Sequence, residues 1–266
     1  MLLISDFSLL FFVSCFGSML SVKKNFWLIG FITASLVFFI SVLTVSTKSN
    51  SLPALQSHPL PVSLAQWENT DTQGDYFTSI KTAPVGYLVW SQFPIKIYVE
   101  QPTDKLDDSA NSARFQQWIT EVQKAIAQWQ PYLPLQQVTQ PELADITIFR
   151  LSVDRTAKLN PETGLYDIPR AITAQTTYQF YIEESTNILA HKMTIKISPD
   201  LSQVATLAAA RHELGHSLGI WGHSDRTSDA LYFSQVRNTP QISPRDINTL
   251  KKIYQQPTRL GWKINN

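Results

Sequence analysis

Apolar residues recur at helical spacing at Phe115, Ile119, Val122, Ile126 and Trp129, which predicts a long amphipathic helix that stops at Pro131. Ile247, Leu250, Ile253 and Tyr254 repeat that spacing and predict a second helix over Asp246 to Tyr254, closed by Pro257. The period changes to two over Lys192 to Ser198. There Met193, Ile195 and Ile197 fall on one face and Lys192, Thr194 and Lys196 on the other, as in a sheet strand with one wet face. Ile95 to Val99, Ala144 to Leu151 and Thr177 to Glu183 read as further strands, the last rich in aromatic and branched residues. Leu201 to Arg211 carries strong helix formers, Ala205 and Ala208 to Ala210, with Ser198-Pro199 as expected N-cap and first-turn proline. The sum is an α+β (mixed α/β) domain with a small twisted sheet.

The most apolar run lies elsewhere. Trp27 to Val45 is nineteen residues without a charge, long enough to cross a bilayer as a helix, and Lys23 and Lys24 precede it. The positive-inside bias keeps those lysines in the cytoplasm and sends everything after residue 46 outside. Residues 7–22 form another apolar stretch, and a start at Met19 would give the short n-region MLSVKKN of a signal peptide or anchor. No A-x-A site follows and the run exceeds a usual signal core, so an uncleaved anchor is favoured over secretion. Residues 47–84, with many Ser, Thr and Pro, read as a linker or a propeptide. The expected division is therefore 1–46 membrane segment, 47–84 linker or propeptide, 85–257 catalytic domain and 258–266 tail.

Formal charge is +1 over 266 residues with no Lys/Arg cluster, which argues against nucleic acid as a partner. The single cysteine, Cys15, sits in the apolar N-terminus, so the exported domain folds without disulfides. A monomer is expected.

The chemistry is concentrated in HELGHSLGIWGH, residues 212–223. His212, Glu213, His216, Gly219 and His223 stand at the spacing H-E-x-x-H-x-x-G-x-x-H of a catalytic zinc site. Four residues apart on a helix, His212 and His216 lie one above the other and can converge on one ion. Gly219, without a Cβ, can turn the chain sharply and bring His223 back as third ligand. Three protein ligands leave a position open for water, which separates catalytic from structural zinc sites. Glu213, beside the first ligand, is the candidate general base. A lone H-E-x-x-H arises by accident. Here five positions match, and three of the five histidines of the chain fall in one window. His58 and His191 read as solvent or packing residues.

The extended motif resembles the metzincin clan of zinc endopeptidases, and Ser224 after the third histidine is similar to the matrixin branch. The resemblance covers roughly residues 85 to 257. It implies one catalytic Zn2+, a protein or peptide substrate, and the strand Thr177 to Glu183 as the sheet edge where an extended peptide adds. Two departures stand out. Metzincins carry a methionine in a turn below the metal, but Met1, Met19 and Met193 all precede the motif; Asp229-Ala230-Leu231-Tyr232-Phe233 aligns with that turn and puts Leu231 there. Cys15 cannot act as a propeptide cysteine switch. Tyr232 reads as structural. A second, structural zinc has only His191 available, and calcium is unsupported, since Asp154, Asp167, Glu183 and Glu184 lack the spacing of a calcium loop. Two other function classes stay open: an inactive membrane-tethered binding module, and a hydrolase of a non-peptide amide such as a cell-wall cross-link. The pocket beside the metal is shaped by loops such as Ser234 to Ile242.

Overall fold

The alternating segments pair into a five-stranded sheet of order β2-β1-β3-β7-β6. Its strands are β1 (Ile95–Val99), β2 (Leu135–Val138), β3 (Ile146–Phe149), β6 (Ala174–Glu183) and β7 (Ile188–Ile197); β4 (Lys158–Leu159) and β5 (Tyr166–Asp167) form a separate antiparallel pair. The computed structural model describes residues 51–68, 74–102, 109–153, 158–159, 166–167, 173–234 and 236–264. Ser49–Asn266 group as one compact unit. The membrane helix expected over 27–45 lies outside the described residues, among which no helix is long and apolar enough to cross a membrane.

β1, β2, β3 and β7 run parallel, and β6 pairs antiparallel with β7 at the edge. Parallel strands need crossovers, and α2 (Ala110–Trp129) lies in the one from β1 to β2. Register follows the apolar alternation: Ile146 lies opposite Met193 and Ile148 opposite Ile195, and all four are buried. That face packs with Trp118, Val122, Ile126 and Trp129 of α2 into one core. Thr176, Tyr178 and Phe180 project from β6 on the same side; Tyr178 and Phe180 are partly buried against that core, while Tyr181 falls on the other side.

The metal-motif helix α3 (Gln203–Ser217) packs on α2, and the Trp129 Nε1–H donates to the Arg211 carbonyl at 2.9 Å. It starts later than the expected cap at Ser198-Pro199. The Ser198 amide still donates to the Thr173 carbonyl as an extension of the sheet, and Ser202 is the N-cap, its hydroxyl accepting from the Ala205 amide. The last helix, α4 (Pro244–Tyr254), begins two residues before the expected Asp246, behind a reciprocal capping box of Ser243 and Asp246.

The packed unit is larger than the expected 85–257. Residues 51–68 and 74–84, read from composition as linker or propeptide, lie against the domain, with Leu64 of the short helix α1 (Val62–Gln66) and Tyr76 both buried. Their attachment escaped a hydropathy reading because much of it is polar: Lys251 donates to the Trp67 carbonyl at 2.8 Å, and Asn248 to the Gly74 carbonyl at 2.8 Å. The expected tail is held as well. Thr258, Leu260 and Ile264 are buried, and Gly261 and Trp262 exchange backbone hydrogen bonds with Leu189.

Candidate metal centre

Helix α3 carries His212 and His216 one turn apart, their Nε2 atoms 3.0 Å from each other. At its end the Gly219 backbone takes φ 127°, where a side chain would be strained, and a Cβ there would stand 2.7 Å from the Leu88 carbonyl oxygen. Donors from elsewhere cover the last helical carbonyls: Trp90 Nε1–H to Ser217 at 2.9 Å and Tyr254 Oη–H to Leu218 at 3.0 Å. The chain then doubles back, and His223 comes to stack on His212 with ring centroids 5.2 Å apart. One ligand atom from each of His212, His216 and His223 falls within 4.8 Å of the other two; among the described residues this is the cluster able to hold a metal ion.

Each helical histidine is oriented from behind. The His212 Nδ1–H donates to the Ala230 carbonyl at 2.9 Å, and the His216 Nδ1–H to the Ile220 carbonyl at 2.7 Å. That fixes the tautomer with Nε2 free for a metal. Burial holds His212 down to about 4 and His216 down to about 3; His223, the most exposed, is lowered by desolvation and by the charge of Lys81. All three are therefore neutral at neutral pH, as metal ligation requires. Three neutral imidazoles, two of them with Nδ1–H groups anchored on backbone carbonyls, fit a catalytic zinc ion.

Glu213 is 8% exposed, and burial pushes its carboxyl up to about 7, against two hydrogen bonds from Thr176. The Thr176 hydroxyl on edge strand β6 donates to Glu213 Oε2 at 2.6 Å. The candidate base is thus tied to the strand expected to bind peptide.

Beyond the histidine cluster, the Ser224 amide donates to the Leu231 carbonyl at 2.8 Å, and the Ser224 hydroxyl donates to Asp229, closing residues 224–232 into a tight loop. Leu231 is fully buried, and a Cβ on Gly215 would lie 2.5 Å from its Cδ2. Tyr232 packs its ring against Phe233 with centroids 4.5 Å apart.

The remaining sequence candidates stand apart. His58 stacks on Trp262 and His191, buried, on Trp90. Glu183 accepts from Thr186, and Asp154 and the Asp167 side chain lie outside the described residues. Sequence reasoning missed Thr176, the Ala230 carbonyl and Asp246 as parts of the site. Only Asp246 carried a signal, the S-x-x-D cap at residues 243–246.

The sequence model of the matrixin family matches residues 99–255, more than half of the chain. The chain belongs to the matrixin family. Membership supports zinc-dependent metallopeptidase activity and a protein or peptide substrate, and implies one catalytic zinc for which the three-histidine cluster has the right donors. No curated protein matches the chain.

Proposed function

We propose that this matrixin is an endopeptidase in which His212, His216 and His223 hold the zinc ion and Glu213 is the general base. The observation that carries the reading is the pairing of a preset three-imidazole cluster with a buried carboxylate on the same helix. When bound there, zinc supplies a Lewis acid that polarises a carbonyl oxygen and acidifies water. The protein does the rest. The outer edge of β6, which pairs with no further strand among the described residues, offers backbone hydrogen bonds to an extended peptide, and Thr176 on that strand holds Glu213 Oε2 in a fixed position. Glu213 accepts the proton of the attacking water and returns it to the leaving nitrogen, a shuttle suited to a carboxyl raised to about 7 by burial. Leu231 takes the place of the family's turn methionine as the apolar floor.

The same reading tethers the enzyme to a membrane through Trp27 to Val45, with catalysis outside the cytoplasm. Its support is the uncharged run behind Lys23 and Lys24. Membrane pelleting of the full chain, and its loss when the first 48 residues are removed, tests that half.

The catalytic half is tested by peptide-library cleavage with the Ser49–Asn266 protein, with and without a chelator, against Glu213→Ala. Cleavage abolished by both is expected. A folded, zinc-loaded protein that cleaves no peptide would overturn the endopeptidase reading in favour of a non-peptide amide substrate or a binding role.

A further inference from the structure

A hydrogen-bond path leads from the N-terminal segment to a zinc ligand. The Tyr76 Oη–H donates to Asp246 Oδ1 at 2.6 Å. Asp246 Oδ2 accepts from the Ala230 amide at 2.9 Å and from the Ser243 amide at 2.8 Å. The Ala230 carbonyl in turn accepts from His212 Nδ1–H. Asp246 is fully buried and Tyr76 is 4% exposed, so none of these bonds exchanges freely with water.

We propose that Tyr76 is a positioning residue for the metal centre, acting through Asp246 and the Ala230 peptide to set the orientation of the His212 imidazole. The proposal rests on the reading of His212 as a zinc ligand. Tyr76 lies outside residues 99–255, so the site is completed by a part of the chain that the family match does not reach.

Three features support a role beyond filling space. First, Tyr76 is the donor to Oδ1 among the described residues, and losing it would leave one oxygen of a buried carboxylate unmatched. Second, its position is fixed from several sides. The Tyr76 amide donates to Thr249 Oγ1 at 3.0 Å, Asp75 pairs with Lys252 at 2.5 Å, and the Arg245 guanidinium lies 5.7 Å from the ring centre. Third, the backbone it reaches serves two purposes, because the Ala230 carbonyl accepts from the His212 Nδ1–H while the next residue, Leu231, fills the space under Gly215. A shift of Asp246 therefore moves both the ligand's anchor and the floor. Groups that orient a metal-bound histidine through its second nitrogen typically change metal affinity 10–100-fold when removed.

The test compares Tyr76→Phe with Trp67→Phe in the full chain. Each removes one hydrogen bond between the N-terminal segment and α4, but the Trp67 Nε1–H donates to Asn248 Oδ1, off the path to His212. Zinc dissociation constants are measured by competition with a chromogenic chelator, beside urea unfolding of the metal-free proteins. The expected result is a dissociation constant about tenfold or more higher for Tyr76→Phe, with that of Trp67→Phe unchanged at comparable loss of stability. Equal zinc affinity in Tyr76→Phe and the unsubstituted protein, or equal losses in both variants, overturns the proposal. If Tyr76→Phe does not fold, Asp246→Asn is measured in its place with the same criterion. An unsubstituted protein that binds no zinc overturns instead the metal-centre reading beneath it.

Discussion

Thr176 and Glu213 are 37 residues apart in sequence, yet the threonine hydroxyl donates to Glu213 Oε2 at 2.6 Å and also approaches the Glu213 carbonyl at 3.1 Å. The contact joins the sheet's edge strand to the candidate base and lowers the carboxyl that burial raises. Thr176→Val keeps the shape and removes the donor. A hydrogen bond to a charged group contributes about 1.5–3 kcal/mol, so the Glu213 carboxyl should rise by roughly a pKa unit. A base must be deprotonated to act, so the acid limb of the kcat/KM profile should move to higher pH. Activity should fall roughly fivefold at neutral pH and recover in alkali. Zinc affinity should not change. A pH–rate profile superimposable on that of the unsubstituted protein would sink this account.

Gly215 and Leu231 are matched in size. The Cβ of Gly215→Ala would meet Leu231 Cδ2 at 2.5 Å and Trp129 Cζ2 at 3.1 Å, and Trp129 is fully buried. Overpacking of this kind costs about 1–3 kcal/mol, and the cavity left by Leu231→Ala about 2–5 kcal/mol. The double variant should be less destabilised than the sum of the two, because the new methyl enters the space the leucine leaves. Leu231→Met conserves volume and should cost less than about 1.5 kcal/mol. Urea unfolding of the four variants checks this; strict additivity would mean that the two residues do not press on each other.

The long helices and the alternating strands were legible because their periodicity is local, whereas the four-residue β2 and the short α1 were not. β1 ends where Ile95 to Val99 ends, and α2 carries the five apolar residues that announced it. The three candidate ligands were legible because a helix and one turn hold them in a twelve-residue window. Where the site depends on distant pairing, the sequence was silent. Thr176 acquires its role only when β6 becomes the edge strand, and Asp246 only when α4 packs beside residues 229–231. The packing of residues 51–68 and 74–84 against the domain was not legible because much of it is polar pairing with α4, such as the Trp67 and Gly74 carbonyls receiving donors from Lys251 and Asn248, which no hydropathy pattern records.

His191 should make the fold acid-sensitive. It is 3% exposed, stacked on Trp90 with centroids 3.9 Å apart, its Nε2 has no hydrogen-bond partner among the described residues, and burial holds it down to about 3. The unfolded chain takes up a proton on this residue below about pH 6.5, whereas the folded chain does not until near 3. The stability it contributes is thus complete above 6.5 and is lost as pH falls from there, by at most about 1.4 kcal/mol per pH unit. His191→Phe keeps a ring on Trp90 and removes the titration. Comparing metal-free proteins at pH 6.5 and 5 cancels the contributions of His212 and His216, which both share. The variant should lose roughly 1–2 kcal/mol less than the unsubstituted protein between those values; identical losses would show that His191 is protonated in the fold.

Removing the metal should soften the protein without unfolding it. The sheet, α2, α3 and α4 share one apolar core that does not depend on the ligand histidines, and the Nδ1 anchors at Ala230 and Ile220 hold those rings with no ion between them. A ligand that binds only the folded state stabilises it by about 4 kcal/mol at a thousandfold excess over its dissociation constant. For a domain near 200 residues each kcal/mol shifts Tm by about 2–4 °C. Chelation should therefore lower Tm by roughly 8–16 °C while leaving far-UV circular dichroism at 25 °C unchanged, and His216→Ala should abolish the shift. A chelated protein already unfolded at 25 °C would mean that the metal, not the core, holds α3 in place, as in small domains that fold only around zinc.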